Sequence, residues 1–226
     1  MNRLRTACLT GLLALSFPLA AAAQQGFTPA LLDDFTFRNM GPFRAGAWIS
    51  DLAVPETPAR AHQHTFYVAT RNGGVWKTEN SGTTFSPVFD ATNQQSIGAV
   101  AVAPSDANVV WVGTGESYVA RYSYAGDGVY RSTDAGRTWQ HMGLRDSHHI
   151  ARIVIHPRDP NTVYVASMGH LHTPNSERGV FRTRNGGSTW EKVLYISDNI
   201  GVIELALDFT NPNILYAATY DKVRYP

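Results

Sequence analysis

The sequence predicts an all-β protein, a β-propeller of four-stranded antiparallel blades with about three and a half blades present and the ring incomplete. An internal repeat of about 50 residues, four short β patterns inside each repeat, and a recurring charged turn lead there. No window of helical period competes with them.

The repeat is read by laying the chain on itself. "IGAVAVAPSDANVVWVGTGE" from Ile97 aligns with "IARIVIHPRDPNTVYVASMG" from Ile150, placing Pro104, Asp106 and Asn108 over Pro157, Asp159 and Asn161. A third copy, "GVIELALDFTNPNILYAATY" from Gly201, brings Asn213 under Asn161 and Tyr216 under Tyr164, so the spacing is 53 and then 52 residues.

Each unit predicts an apolar strand such as Ala99 to Ala103, a second at Val109 to Gly113, a third at Gly128 to Ser132 and a fourth from Trp139. Clusters of Pro, Asp, Asn and Gly separate them, as turns require. The expected partition is residues 1–23 as a signal peptide and 24–41 as an N-terminal segment with a closing strand. Blades follow at 42–96, 97–148 and 149–199, with the first half of a fourth at 200–226. "TFRNMG" at Thr36 to Gly41 matches "TWQHMG" at Thr138 to Gly143 and reads as that closing strand. Since propellers have four to eight blades, the expectation is a part of a longer protein, completed by further blades.

The turn between the third and fourth strands carries Ser132-Thr133-Asp134-Ala135-Gly136-Arg137-Thr138-Trp139. Thr183 to Trp190 repeats it with Asn185 for Asp, followed by Gly187; Thr78 to Phe85 repeats it with Asn80, Gly82 and Phe85. It resembles the Asp box of the bacterial neuraminidase repeat, shared by sialidases and by xyloglucanase-type and sortilin-type propellers, and also by photosystem assembly factors. Asp or Asn is suited to accept backbone N–H groups, Gly to supply positive φ, and the aromatic ring to pack between strands. Asp134, Gly136, Trp139 and their counterparts are therefore expected to serve folding.

At the N-terminus, Arg3 and Arg5 precede a short apolar run, Leu9 to Leu19, and then Ala21-Ala22-Ala23, the pattern of a secretory signal. The run is short of the ~20 residues that span a bilayer. Export to the periplasm or outside the cell follows, with no membrane span after cleavage. The one cysteine, Cys8, lies inside this segment, so the mature chain is expected to hold no thiol or disulfide. Net charge is +1, which argues against a nucleic-acid partner.

In a four-stranded antiparallel blade the 2–3 loops and the inter-blade connections share one face, opposite the turns just described. The long loops there run from Gly115 to Gly128 and from Gly169 to Gly179, against "RNGG" in the first unit. Length variation on one face marks it as the functional one. It gathers the ligand-binding candidates Arg71, Asn72, Glu116, Tyr118, Arg121, Tyr122, Asp127, His148, His149, His170, His172, Glu177 and Arg178. Glu116 and Asp127 are the candidate acid and base for glycoside hydrolysis, set against the alternative of ion pairs that brace the loop. His148-His149 and His170-x-His172 offer imidazoles of the kind that zinc or copper takes, without a firm third ligand. Loop hydrogen bonding is the better account, and neither metal nor cofactor is expected.

"MGPFRAGAWISDLAV", "RNGGVWKTENSG" and "GDGVYRSTDAGRTW" look like the N-terminal blades of large exported bacterial proteins known as sortilin-like or glycosyl hydrolase-like repeat proteins. Xyloglucanase-type propellers carry a catalytic Asp in a first-blade motif that Ala69-Thr70-Arg71-Asn72-Gly73-Gly74 resembles, with Arg71 where the Asp stands. An arginine cannot act as a carboxylate base. Phe43-Arg44 resembles the first half of the sialidase Arg motif, making Arg44 an anion-binding candidate, although Ala45-Gly46 breaks the second half. Sortilin-type propellers bind peptides in a central tunnel without catalytic groups. The resulting expectation is a peptide- or carbohydrate-binding scaffold. The alternative is the N-terminal part of a glycoside hydrolase whose carboxylates lie mostly elsewhere, and a third reading is a purely structural module.

Overall fold

The computed structural model describes residues 48–56, 58–118 and 123–221. The expected signal, the closing strand, and the candidates Arg44, Arg121 and Tyr122 lie outside them. The described residues belong to one compact unit.

Fourteen strands are described, in three four-stranded antiparallel sheets and one two-stranded sheet, each in sequence order. The first sheet holds β1 (Ile49–Ala53), β2 (Phe66–Thr70), β3 (Val75–Thr78) and β4 (Ser86–Pro87). The second holds β5 (Ile97–Ala103), β6 (Asp106–Thr114), β7 (Val129–Ser132) and β8 (Gln140–His141). The third holds β9 (Ile150–Ile155), β10 (Val163–Ser167), β11 (Gly179–Thr183) and β12 (Glu191–Leu194), and the fourth β13 (Ile200–Leu207) and β14 (Leu215–Asp221). The first strands of successive sheets, β1, β5, β9 and β13, pack side by side as inner strands.

The apolar runs of the middle strands follow from burial on both faces. On β6, Val110 and Val112 pack toward Tyr67, Ala69 and Val75 of the first sheet and Phe89 just after it. The alternate residues, Val109 and Trp111, pack toward Ile153, Val163, Val165 and Phe181 of the third. β10 repeats the scheme, turning Val163 and Val165 to the second sheet and Tyr164 and Ala166 to the fourth. Where the inner strands approach most closely, a side chain has no room: a Cβ on Gly98 would stand 2.0 Å from the Ile150 carbonyl oxygen.

The three charged turns share one hydrogen-bond pattern. Asn80, Asp134 and Asn185 accept through Oδ1 the backbone N–H four residues on, at 2.9, 2.9 and 3.0 Å. Thr78, Ser132 and Thr183 accept the N–H of Gly82, Gly136 and Gly187. Each Gly has positive φ, and so does the residue before it: Ser81, Ala135 and Gly186. Partial burial pushes the Asp134 carboxyl up, but hydrogen bonds from Thr138, Ser132 and Arg137 outweigh it and hold the group at about 2.

The aromatic residues of these turns reach further than their own sheet. Trp139 Nε1 donates to the Val88 carbonyl at 2.7 Å and Trp190 Nε1 to that of Met142 at 2.6 Å, so each indole staples its sheet to the one before. Phe85 instead meets Phe66 of its own sheet edge-on and is 40% exposed. The turns also bond beside the 1–2 connections, Ala135 N–H to the carbonyl of Asn108 at the start of β6 and Gly186 N–H to that of Asn161 between β9 and β10. Both kinds of turn therefore lie at one end of the sheets, leaving the long loops at the other.

Candidate functional site

On the loop face, Arg71 leaves the end of β2 and Glu116 the end of β6, and the two meet between the first and second sheets. Arg71 Nε lies 3.3 Å from Glu116 Oε2, with Glu116 fully buried and Arg71 8% exposed. Glu116 also accepts the Tyr118 N–H at 2.6 Å and the Ser123 hydroxyl, and its own N–H bonds Ser96 Oγ. The Arg71 guanidinium lies 4.8 Å from the centroid of the Trp48 ring. A carboxylate enclosed by a guanidinium, an amide and a hydroxyl has its lone pairs committed, so Glu116 braces the loop.

Asp127 is equally committed. Its carboxylate accepts the Tyr130 hydroxyl at 2.9 Å and pairs with Arg145 at 3.2 Å, and its N–H bonds Thr114 Oγ1. Burial first, and then the hydrogen bond to Asp127, push the Tyr130 hydroxyl up to about 12. The two carboxylates considered for hydrolysis thus each hold a structural ion pair.

The histidines divide. His149 is 2% exposed, and its Nδ1 donates to the Glu116 carbonyl at 2.8 Å. His148 turns the other way and stacks on His170, ring centroids 3.7 Å apart and 20° from parallel. Asp146 Oδ1 faces both, 3.1 Å from His170 Nε2 and 3.8 Å from His148 Nε2. His172 is exposed and lines, with His148, His149, His170 and Ser123, a cleft of about 190 Å³. Burial lowers His148, as does the charge of His170, while Asp146 opposes both.

Arg178 is 2% exposed and donates to the carbonyls of Asn199 at 3.0 Å and His170 at 2.5 Å. It holds the third sheet's long loop from inside. Glu177 pairs with Lys192 at 3.8 Å on the flank of that loop. Asn72, by contrast, is exposed and lines with Gln94, Gln95 and the 58% exposed Tyr124 a concavity of about 380 Å³. Amides beside an open aromatic ring form a surface suited to hydroxyl-rich ligands.

No family model matches the chain. It is 28% identical over 172 residues, 69% of its length, to a probable oligoxyloglucan-reducing end-specific xyloglucanase of Neosartorya fischeri. Over 188 residues, 76% of the chain, it is 24% identical to a xyloglucanase of a Paenibacillus species. The solved GH74 enzyme of Niastella koreensis matches 77% of the chain with a TM-score of 0.57 and 18% identity.

The fold is that of a β-propeller. The chain spans 19% and 17% of the length of the two curated relatives and 26% of the Niastella chain. The four sheets are accordingly blades and blade strands around a common inner side. Along that inner side, Leu52, Val100, Val102, Val154 and Leu207 line a further concavity of about 340 Å³. Arg152 ties it together, reaching Asp51 at 3.4 Å and Glu204 at 3.1 Å from three different blades. No helix among the described residues is long and apolar enough to cross a membrane.

Sequence reasoning overlooked two parts of the propeller's loop face. Asp146 precedes His148 by two residues in the inter-blade connection, and only the fold brings it to His170. Tyr124 and the Gln94-Gln95 pair lie on separate connections, so no local motif marks them.

His149 offers a pH test of this face. Burial pushes its imidazole down to about 4, more than the Glu116 carbonyl pulls it up. A lowered folded value means that the unfolded chain takes the proton more readily, so the stabilisation is present above pH ~6.5 and lost as pH falls toward about 4. Urea midpoints are expected to drop across that window, and His149→Asn, which retains a donor near the Glu116 carbonyl without titrating, is expected to flatten the drop. An unchanged slope in the variant would assign the acid sensitivity to other groups.

Proposed function

We propose that the chain is the N-terminal part of an exported glycoside hydrolase-like propeller that binds a branched β-glucan of the xyloglucan type on its loop face. In this reading the hydrolytic carboxylates belong to other blades. The observation that carries it is the similarity to two xyloglucanases over more than two thirds of the chain. The open, amide-rich concavity beside Asn72 and Tyr124 supports it, because a polysaccharide needs stacking rings and hydrogen-bonding groups along a groove. We take residues 42–96, 97–148 and 149–199 as blades, 200–226 as the first half of a fourth, the three repeated turns as Asp boxes, and residues 1–23 as the export signal.

The full chain is expected to be retarded by xyloglucan in native affinity gels and to release no reducing sugar from it. Tyr124→Ala is expected to weaken retardation without altering far-UV circular dichroism. Absence of retardation across xyloglucan and unbranched β-glucans would sink the carbohydrate reading; reducing-sugar release would place working carboxylates within this chain.

A second reading is a sortilin-like scaffold that binds peptide without catalysis. One observation favours it: the position that xyloglucanase resemblance assigns to a carboxylate is Arg71, neutralised by buried Glu116. Retention of a random peptide library, without retention of glucans, is the result that selects it.

A further inference from the structure

We propose that Asp146, His148 and His170 form a divalent transition-metal site on the loop face, an ion there tying the connection between the second and third blades to the third blade's long loop. Their donor atoms lie within 4.8 Å of one another, the one such grouping among the described residues. Zinc bonds of ~2.0–2.2 Å in tetrahedral geometry put neighbouring donors roughly 3.3–3.6 Å apart. The two distances from Asp146 Oδ1, 3.1 Å and 3.8 Å, bracket that separation.

The donor chemistry selects the ion. Two imidazoles and one carboxylate suit zinc, nickel or copper, whereas calcium and magnesium take oxygen ligands. Two stacked rings share a single carboxylate oxygen here, so only one positive imidazolium is well served by it. One cation between them satisfies both nitrogens and the oxygen together. The rings need only turn out of their stack about χ2, a soft torsion.

Three further features surround the donors. Thr173 Oγ1 lies 3.1 Å from His170 Nδ1, the outer contact that fixes tautomer and aim in ligating histidines. The Asn175 side-chain amide accepts the His170 N–H and donates to the Asp146 carbonyl, which ties the two segments together independently of the three donor side chains. His148 has φ +55° and ψ −43°, a conformation costly for a residue with a Cβ and one that clusters at functional sites. Beyond them the cleft of about 190 Å³ leaves a coordination position open to solvent or ligand. None of this depends on the carbohydrate reading.

The test is calorimetric titration of the full, chelator-treated chain with zinc chloride at pH 7.5, beside thermal unfolding. One ion per chain and a raised melting temperature are expected, with no heat from magnesium. His148→Ala and His170→Ala should each abolish saturable binding, and Thr173→Val should weaken it about tenfold. His64→Ala, on the opposite end of the first blade, should leave it unchanged. Should either alanine variant lose its folded circular dichroism, His148→Gln and His170→Gln serve in its place. A folded chain that binds no zinc, or zinc binding that persists when both histidines are replaced, overturns the proposal.

Discussion

Glu116→Ala is expected to destabilise the protein by about 3–5 kcal/mol, the range for leaving one partner of a buried ion pair uncompensated. The cost arises from Arg71. With Glu116 fully buried and Arg71 8% exposed, truncation strands a guanidinium between two blades and also frees the Tyr118 N–H and the Ser123 hydroxyl. Glu116→Gln keeps an acceptor for those two groups and should cost less. Replacing the pair together, Arg71→Met with Glu116→Leu, should recover most of the loss, because neither charge then remains to be desolvated. Urea denaturation of the four proteins measures this. A loss below about 1 kcal/mol in Glu116→Ala would show the pair to be solvated and would return Glu116 to the list of catalytic candidates.

Trp111→Ala is expected to cost a similar amount, about 3–5 kcal/mol, by opening a cavity between the second and third blades. Trp111 is fully buried, meets Trp190 edge-on at 6.0 Å and lies under the Arg131 guanidinium at 5.6 Å. Its Nε1 has no hydrogen-bond partner among the described residues. Trp111→Phe should therefore cost much less, since it keeps the ring contact and removes a buried donor that gains nothing. The same ring explains a glycine. A Cβ on Gly187 would stand 2.8 Å from Trp111 Cη2, so the third charged turn needs glycine for packing as well as for its φ of +94°. Equal losses in the Phe and Ala variants would show that the indole N–H finds a partner after all.

Strand pattern and turn chemistry were legible in the sequence because each depends on residues within a few positions of one another, and strand order because that pattern recurs at spacings of 53 and 52 residues. Alternation along "NVVWVG" follows from pleating. The pairing of Asp134 with the Thr138 N–H is a contact four residues long. The parity of four antiparallel strands then decides which loops share a face, and it puts Arg71, Glu116, His148 and His170 at one end of the blades.

What each of those residues does there was decided only by tertiary structure. Glu116 and Arg71 are 45 residues apart in sequence, and their enclosure depends on how closely the first two blades pack, which no local pattern records. Arg178 turns inward because the carbonyls of Asn199 and His170 converge behind it. Adjacent His148 and His149 part ways, one half-buried beside Asp146 and one buried under Glu116, with His148 taking a positive φ between them. Local periodicity determines the blades; the burial of charge between blades determines which of their loop residues remain free to meet a ligand.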